Sequence, residues 1–141
     1  MYEYKFKAVR VIDGDTVDGI IDLGFGIRLK ERIRLADINA PEIRLQKKIK
    51  DPEKRRKEKA RGLKAKQRLK DLIKEGEAHP EGLLIETFLD KKGKYGRILG
   101  HIKYIYARDL HNAHPNSKPW AGWTSLNHTL LREELVDRYE I

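Results

Sequence analysis

"RVIDGDTVDGII", residues 10–21, starts as an alternating strand, sets Asp13 and Asp15 around a glycine, and returns to β-branched residues. Asp and Gly tolerate the dihedral angles of a tight turn, so the acidity has a local explanation. Two carboxylates at a strand end also describe a cation site. Outward from this joint, "YKFKAVRVI" (4–12) alternates, "TVDGIIDLG" (16–24) follows, and "IRLKERIRLADI" (27–38) comes after the glycine turn at Gly24 to Gly26. Alternation with a period of two marks strands half-buried on a sheet. Three of them with short connections make a meander over residues 4–39.

The next segment has a different period. "DPEKRRKEKARGLKAKQRLKDLIKEG" (51–76) carries a cap at Asp51, a proline at the first helical position and a stop at Gly76. Gly62, Ala65, Leu69, Leu72 and Ile73 form one narrow apolar stripe, with basic residues on the other faces. "GLLIETFLD" (82–90) and "RILGHIKYIYA" (97–107) read as two strands joined by the turn "KKGKYG". Residues 107–124, rich in Asn, Pro, Gly and Ser, read as a long inserted loop. "SLNHTLLREELVDRY" (125–139) then has Ser125 as a cap and Leu126, Leu130, Leu131 and Leu135 at helical spacing. Five strands interrupted by a helix after the third predict an α+β, mainly β fold: a five-stranded oligonucleotide-binding (OB-fold) barrel with packed helices.

The chain of 141 residues fits one domain, expected to span 1–141. No apolar run approaches the roughly 20 residues of a membrane span. The start, "MYEYKFKAVRV", lacks the basic and apolar regions of a secretory signal, so no address is visible and the compartment is left open. There are no cysteines, which excludes disulfides and thiolate metal sites. Net charge is +9, and its location says more than its size: Arg44 to Lys74 holds fifteen Lys or Arg against four Asp or Glu, leaving the remainder at −2. Such a patch attracts polyanions, although a solvated helix face has the same composition.

"RIRLADINAPE" (32–42) ends the third strand. Arg32 and Arg34 share a strand face, and Glu42 follows Pro41 at the exit. Phosphodiester hydrolysis needs a cation on a phosphate oxygen, guanidinium groups for the charge of the transition state, and a carboxylate that directs a water. Asp15, Arg34 and Glu42 supply those types, and Arg97 in "KYGR" is a second guanidinium. Each also has a plain structural reading, as a turn residue, a surface strand residue, a loop cap and a partner for a nearby acid. Order and spacing together separate the two readings.

"IDGDTV", "RLADINAPE", "GLKAKQRLKDLI", "KYGR" and "LNHTLLREELV" occur in the order and at intervals similar to those of the staphylococcal nuclease (thermonuclease-like) family, and the chain resembles that family over nearly its whole length. The resemblance implies a calcium-dependent endonuclease that hydrolyses DNA and RNA. It makes Asp15 a Ca2+ ligand, Arg34 and Arg97 phosphate clamps and Glu42 the candidate general base. It aligns Asn39 with the family's second calcium-binding Asp and Ala40 with the residue that gives a backbone carbonyl. Lys94 and Tyr95 match positions that contact a substrate phosphate. The implied partner is nucleic acid, with no membrane, no evident protein partner and a monomeric state expected.

Three departures stand out. Asn39 is neutral and should weaken ion binding, and Asp37, two residues earlier on the expected strand face, is the candidate to restore the charge. Its alternative is a solvent-reaching carboxylate at the strand end. Glu134 stands where the family usually has glycine, so the last helix should continue or end differently. The 107–124 loop brings Trp120 and Trp123, which either stack on bases or close a small core, and His111 and His114, read as surface residues. The competing function is a non-catalytic barrel that binds single-stranded nucleic acid and has a decayed metal site.

Overall fold

The structure, a computed structural model, describes residues 2–43, 48–89, 98–105 and 122–139. Strands β1 (Tyr2–Asp13), β2 (Thr16–Gly24) and β3 (Ile27–Leu35) form the expected meander. A two-residue β4 (Ile38–Asn39) precedes helix α1 (Pro52–Ala78), followed by β5 (Leu83–Leu89), β6 (Ile98–Ile105), β7 (Trp123–Ser125), helix α2 (Leu126–Arg132) and β8 (Asp137–Arg138). The sheet order β3-β2-β1-β5-β6 closes when β3 pairs in parallel with β6, Ile33 opposite Ile98 and Leu35 opposite Gly100. This is a closed five-stranded mixed barrel with two helices, as the sequence predicts. No described helix is long and apolar enough to cross a membrane.

Alternation explains the interior. Val17, Ile21, Ile33, Leu35, Ile85 and Ile102 are almost fully buried, while their strand neighbours reach the surface. β1 serves two partners, β2 from Lys5 to Asp13 and β5 over Tyr2 to Phe6, and register shifts between Ala8 and Arg10 and between Val11 and Asp13 bend it around the barrel. α1 begins as expected: the Asp51 side chain accepts the Glu53 N–H, and Pro52 occupies the first turn. Its stripe of Gly62, Ala65, Leu69, Leu72 and Ile73 is buried. The helix does not stop at Gly76, however. Gly76 lies in its packed face against Leu83 and Tyr104, and the helix runs on to Ala78 with His79 as the cap.

The C-terminal part differs more from the sequence reading. Trp123 and Thr124, assigned to the inserted loop, belong to β7 on the edge of β6; residues 106–121, including His111, His114 and Trp120, lie outside the described residues. α2 begins at the Ser125 cap, whose Oγ accepts the His128 N–H at 3.0 Å, but it ends at Arg132 rather than running to Leu135. Glu134 then takes φ 60°, its N–H bonding the Leu131 carbonyl and the Leu135 N–H the Leu130 carbonyl. These paired bonds are a Schellman termination, normally built on glycine. They turn the chain so that Leu135 and Val136 enter the core and β8 can pair with β4.

Buried Asn127 locks this arrangement. Its amide NH2 donates to the carbonyls of Ala36 (2.9 Å) and Gly100 (3.0 Å), and its oxygen accepts the Ile102 N–H at 3.3 Å. One side chain thereby ties α2 to β6 and to the turn after β3.

A left-handed conformation costs a non-glycine residue about 1–2 kcal/mol, and among the described residues the Glu134 carboxylate forms no ion pair that offsets it. Glu134→Gly is therefore expected to raise unfolding stability by about 1 kcal/mol after glycine's own entropy cost, read as a higher urea midpoint at unchanged m-value.

Candidate active site

The β1–β2 turn separates the roles of its two aspartates. Asp13 Oδ1 accepts the N–H of Asp15 at 3.0 Å, a local bond that closes the turn. Asp15 instead points inward and is 7% exposed. Its Oδ2 accepts the Ala40 N–H at 2.7 Å, its Oδ1 accepts the Thr16 hydroxyl at 2.9 Å, and its carbonyl accepts the Leu35 N–H at 2.7 Å. Main chain and side chain of one residue thus fasten both ends of the 35–40 segment.

Arg34 is fixed as firmly. Nη1 donates to the carbonyls of Leu35 (2.9 Å) and Ile38 (2.8 Å), and Nη2 donates to Asn39 Oδ1 at 3.1 Å and lies 3.4 Å from Asp15 Oδ2. The Tyr139 ring stands 5.9 Å from the guanidinium carbon, within cation–π range. With Nη1 committed to the backbone, a planar cation is held edge-on to the space beside Asp15. Asp13, Asp15, Arg34, Asn39, Ala40 and Glu42 all line one cleft of about 440 Å³, bordered by Leu99 and Tyr139. Glu42 is exposed at this cleft.

α1 sets the position of Glu42 from behind. A methyl group on Gly62 would come within 2.6 Å of the carbonyl oxygens of both Pro41 and Glu42, and one on Gly14 within 2.7 Å of the Ala65 Cβ. Helix α1 can approach the Pro41–Glu42 backbone and the β1–β2 turn this closely only because both positions lack a side chain. From the other side, β8 pairs with β4, Asp137 opposite Asn39, and the Tyr139 N–H bonds the Asp37 carbonyl at 2.9 Å. The loop is clamped by elements from three parts of the chain.

Asp37 does not share a strand face with Asn39. β3 ends at Leu35, and Asp37 sits in the following turn at φ 65° with its carboxylate 3.0 Å from His101 Nε2. The alternation argument for it as a charge-restoring ligand therefore does not apply. Lys94, Tyr95 and Arg97 lie outside the described residues; Arg97 immediately precedes Ile98, which pairs with Ile33, and Leu99 lines the cleft. Trp123 is on β7 and is not among the residues that line the cleft. Sequence reading missed Tyr139, Thr16 and the role of Gly62. Their contacts join residues far apart in the chain or, for Thr16, depend on how the turn folds.

The electrostatics bear on what the cleft can hold. Burial, reinforced by the Asp13 hydrogen bond, raises the Asp15 carboxyl from its ordinary 3.8 to about 6, and the Ala40 N–H and Arg34 oppose the shift without cancelling it. Among the described residues no three His, Cys, Asp or Glu gather as a metal cluster, consistent with the neutral Asn39. The side-chain acceptors that Asp15 and Asn39 bring to the cleft are oxygens, the Asp15 carboxylate and Asn39 Oδ1, the latter already bonded by Arg34 Nη2. Oxygen acceptors around a desolvated carboxylate, which has Arg34 at 3.4 Å as its cationic partner among the described residues, are of the type that a hard divalent cation such as calcium takes.

A family model described as staphylococcal nuclease homologue matches residues 32–140, more than half of the chain, and the chain belongs to that family. A search of curated proteins found no match. The family match begins after Asp15, so that residue's place in the site rests on its bonds to Ala40 and Leu35.

Because its folded pKa is raised, Asp15 favours folding fully below pH 3.8, and that contribution is lost as pH rises through about 6. In the cation-free protein, Asp15→Asn is expected to raise stability at pH 7.5 by about 2 kcal/mol, with the difference vanishing near pH 4. Urea unfolding across that range is the check.

Proposed function

We propose that this staphylococcal nuclease homologue is a calcium-dependent nuclease that hydrolyses phosphodiester bonds of DNA and RNA. The observation that carries the proposal is a buried Asp15 carboxylate lining a cleft that also holds a fixed guanidinium and the exposed Glu42 carboxylate. Calcium would be held by the Asp15 carboxylate, Asn39 Oδ1 and the Ala40 carbonyl. When bound, it supplies positive charge to a non-bridging phosphate oxygen.

The chain's own residues account for the other roles. Arg34 is anchored through Nη1, and its Nε and the Nη2 that now bonds Asn39 Oδ1 would turn to phosphate and stabilise the extra negative charge as the fifth oxygen approaches phosphorus. Arg97 is proposed as the second clamp, with Lys94 and Tyr95 on a neighbouring phosphate. Glu42 accepts the proton of the attacking water. The water oxygen forms the new P–O bond, one ester P–O bond breaks, and the departing oxygen takes a proton from solvent. The role of Glu42 depends on Gly62, since any side chain there would push the Pro41–Glu42 backbone out of place.

Cleavage of single-stranded DNA and of RNA, with calcium and with chelator, tests the reading. Cutting is expected only with calcium, and Glu42→Gln is expected to lower kcat about 10²–10⁴-fold with KM changed only a few-fold. A strand bound but uncut in calcium, magnesium or manganese would make the chain a binding barrel instead. Equal losses in kcat and binding would make Glu42 a structural residue.

A further inference from the structure

A second groove, about 580 Å³, lies outside the cleft between α1 and the bulged middle of β1. It exists because β5 leaves β1 after Phe6, and the Ala8 N–H beyond that point is taken by Glu77 Oε1 at 3.0 Å. Val9, bulged outward and 51% exposed, forms part of the floor. Arg10 contributes from the strand, and Lys66, Lys70 and Lys74 contribute from the helix.

These three lysines are four residues apart and fall on one face, where like charges repel and weaken a helix. Two other cations of α1 are compensated, Arg61 by Asp137 and Arg68 by Glu133, whereas exposed Lys54, Lys57 and Lys64 share the groove lysines' lack of an ion pair among the described residues but do not line the groove. Among the described residues, neither Arg10 nor any of the three lysines forms an ion pair. Asp18, the cross-strand neighbour of Arg10, is held by two bonds from Arg32, and Asp71 accepts from Gln67. Glu77, the acid that lines the groove, is engaged at its closed end. The groove's four cations therefore outnumber Glu77, the acid among its lining residues, with Arg10 also acting on Asp18 without an ion pair.

The other end has a direction. Ala65, next to Lys66, packs against Gly14, so the lysine row starts behind the turn that carries Asp13 and Asp15. Successive lysines rise about 6 Å along the helix axis, a spacing that an extended sugar-phosphate strand can follow.

We propose that this groove is a track for a nucleic-acid backbone, in which phosphates outside the cleft are neutralised by Arg10, Lys66, Lys70 and Lys74. It rests on the reading of the cleft as a phosphodiester site and adds where the outlying nucleotides bind. Contacts of this kind read phosphate and not base, so the track is sequence-independent.

The test measures binding of a labelled single-stranded DNA of about 16 nucleotides by fluorescence anisotropy, in chelator, over a salt series. Lys70→Gln with Lys74→Gln is compared with Lys57→Gln plus Lys64→Gln, two exposed lysines on the opposite side of α1 that remove the same charge. The groove pair is expected to reduce the slope of log K against log salt by about 1.4, Arg10→Gln alone by about 0.7, and the control pair by much less. Equal losses from both pairs would reduce the groove to diffuse attraction by a basic helix, and unchanged slopes in the groove variants would remove it altogether. Binding without calcium is read independently of cutting. A protein that fails to cleave can still reveal the track, and one that cleaves with unchanged slopes loses the track alone.

Discussion

The 2.7 Å bond from the Ala40 N–H to Asp15 Oδ2 is the contact on which the site depends. A charge-assisted bond in a buried setting contributes about 1.5–3 kcal/mol, and it joins the β1–β2 turn to a loop 25 residues later in the chain. With the Asp15 carbonyl bonded to Leu35, it fixes the segment that carries Asn39 and leads to Glu42. Arg34 binds the inside of the same segment through the Leu35 and Ile38 carbonyls. The aspartates of "IDGDTV" therefore divide the two explanations between them: Asp13 closes the turn, and Asp15 holds the cleft together at the cost of a desolvated charge.

That cost is informative because the rest of the molecule satisfies its buried polar groups. No buried side-chain nitrogen or oxygen among the described residues is left without a partner, and Asn127 uses both ends of its amide. Against that background, a carboxyl pushed to about 6 is an exception of the kind that recurs at functional sites. The compact backbone contact at Gly62 has the same character: it weakens helix propensity in mid-helix and returns a fixed position for Pro41 and Glu42.

Much of the architecture was legible in the sequence because its signals are local. The period of two in β1 to β3, the Asp51–Pro52 and Ser125 caps and the α1 stripe each depend on residues within a few positions of one another. The misreadings share the opposite cause. Glu134 terminates α2 without the glycine that marks such an end, so Leu135 reads as one more helical leucine. β4 and β8 are two residues each, too short for any periodicity, and exist because distant segments meet. Asp37 was expected on a strand face that ends two residues too early. Tyr139 reaches Arg34 only through the β4–β8 pairing, a contact that no linear pattern carries.

The central claim is that Asp15 is kept in a costly state because a cation relieves it. The direct measurement is the urea midpoint at pH 7.5 with and without millimolar calcium, for the wild-type protein and Asp15→Asn. The account predicts that calcium raises the wild-type midpoint, as any ligand specific to the folded state must, and leaves the variant's unchanged. Equal shifts in both proteins, or none in either, would contradict it.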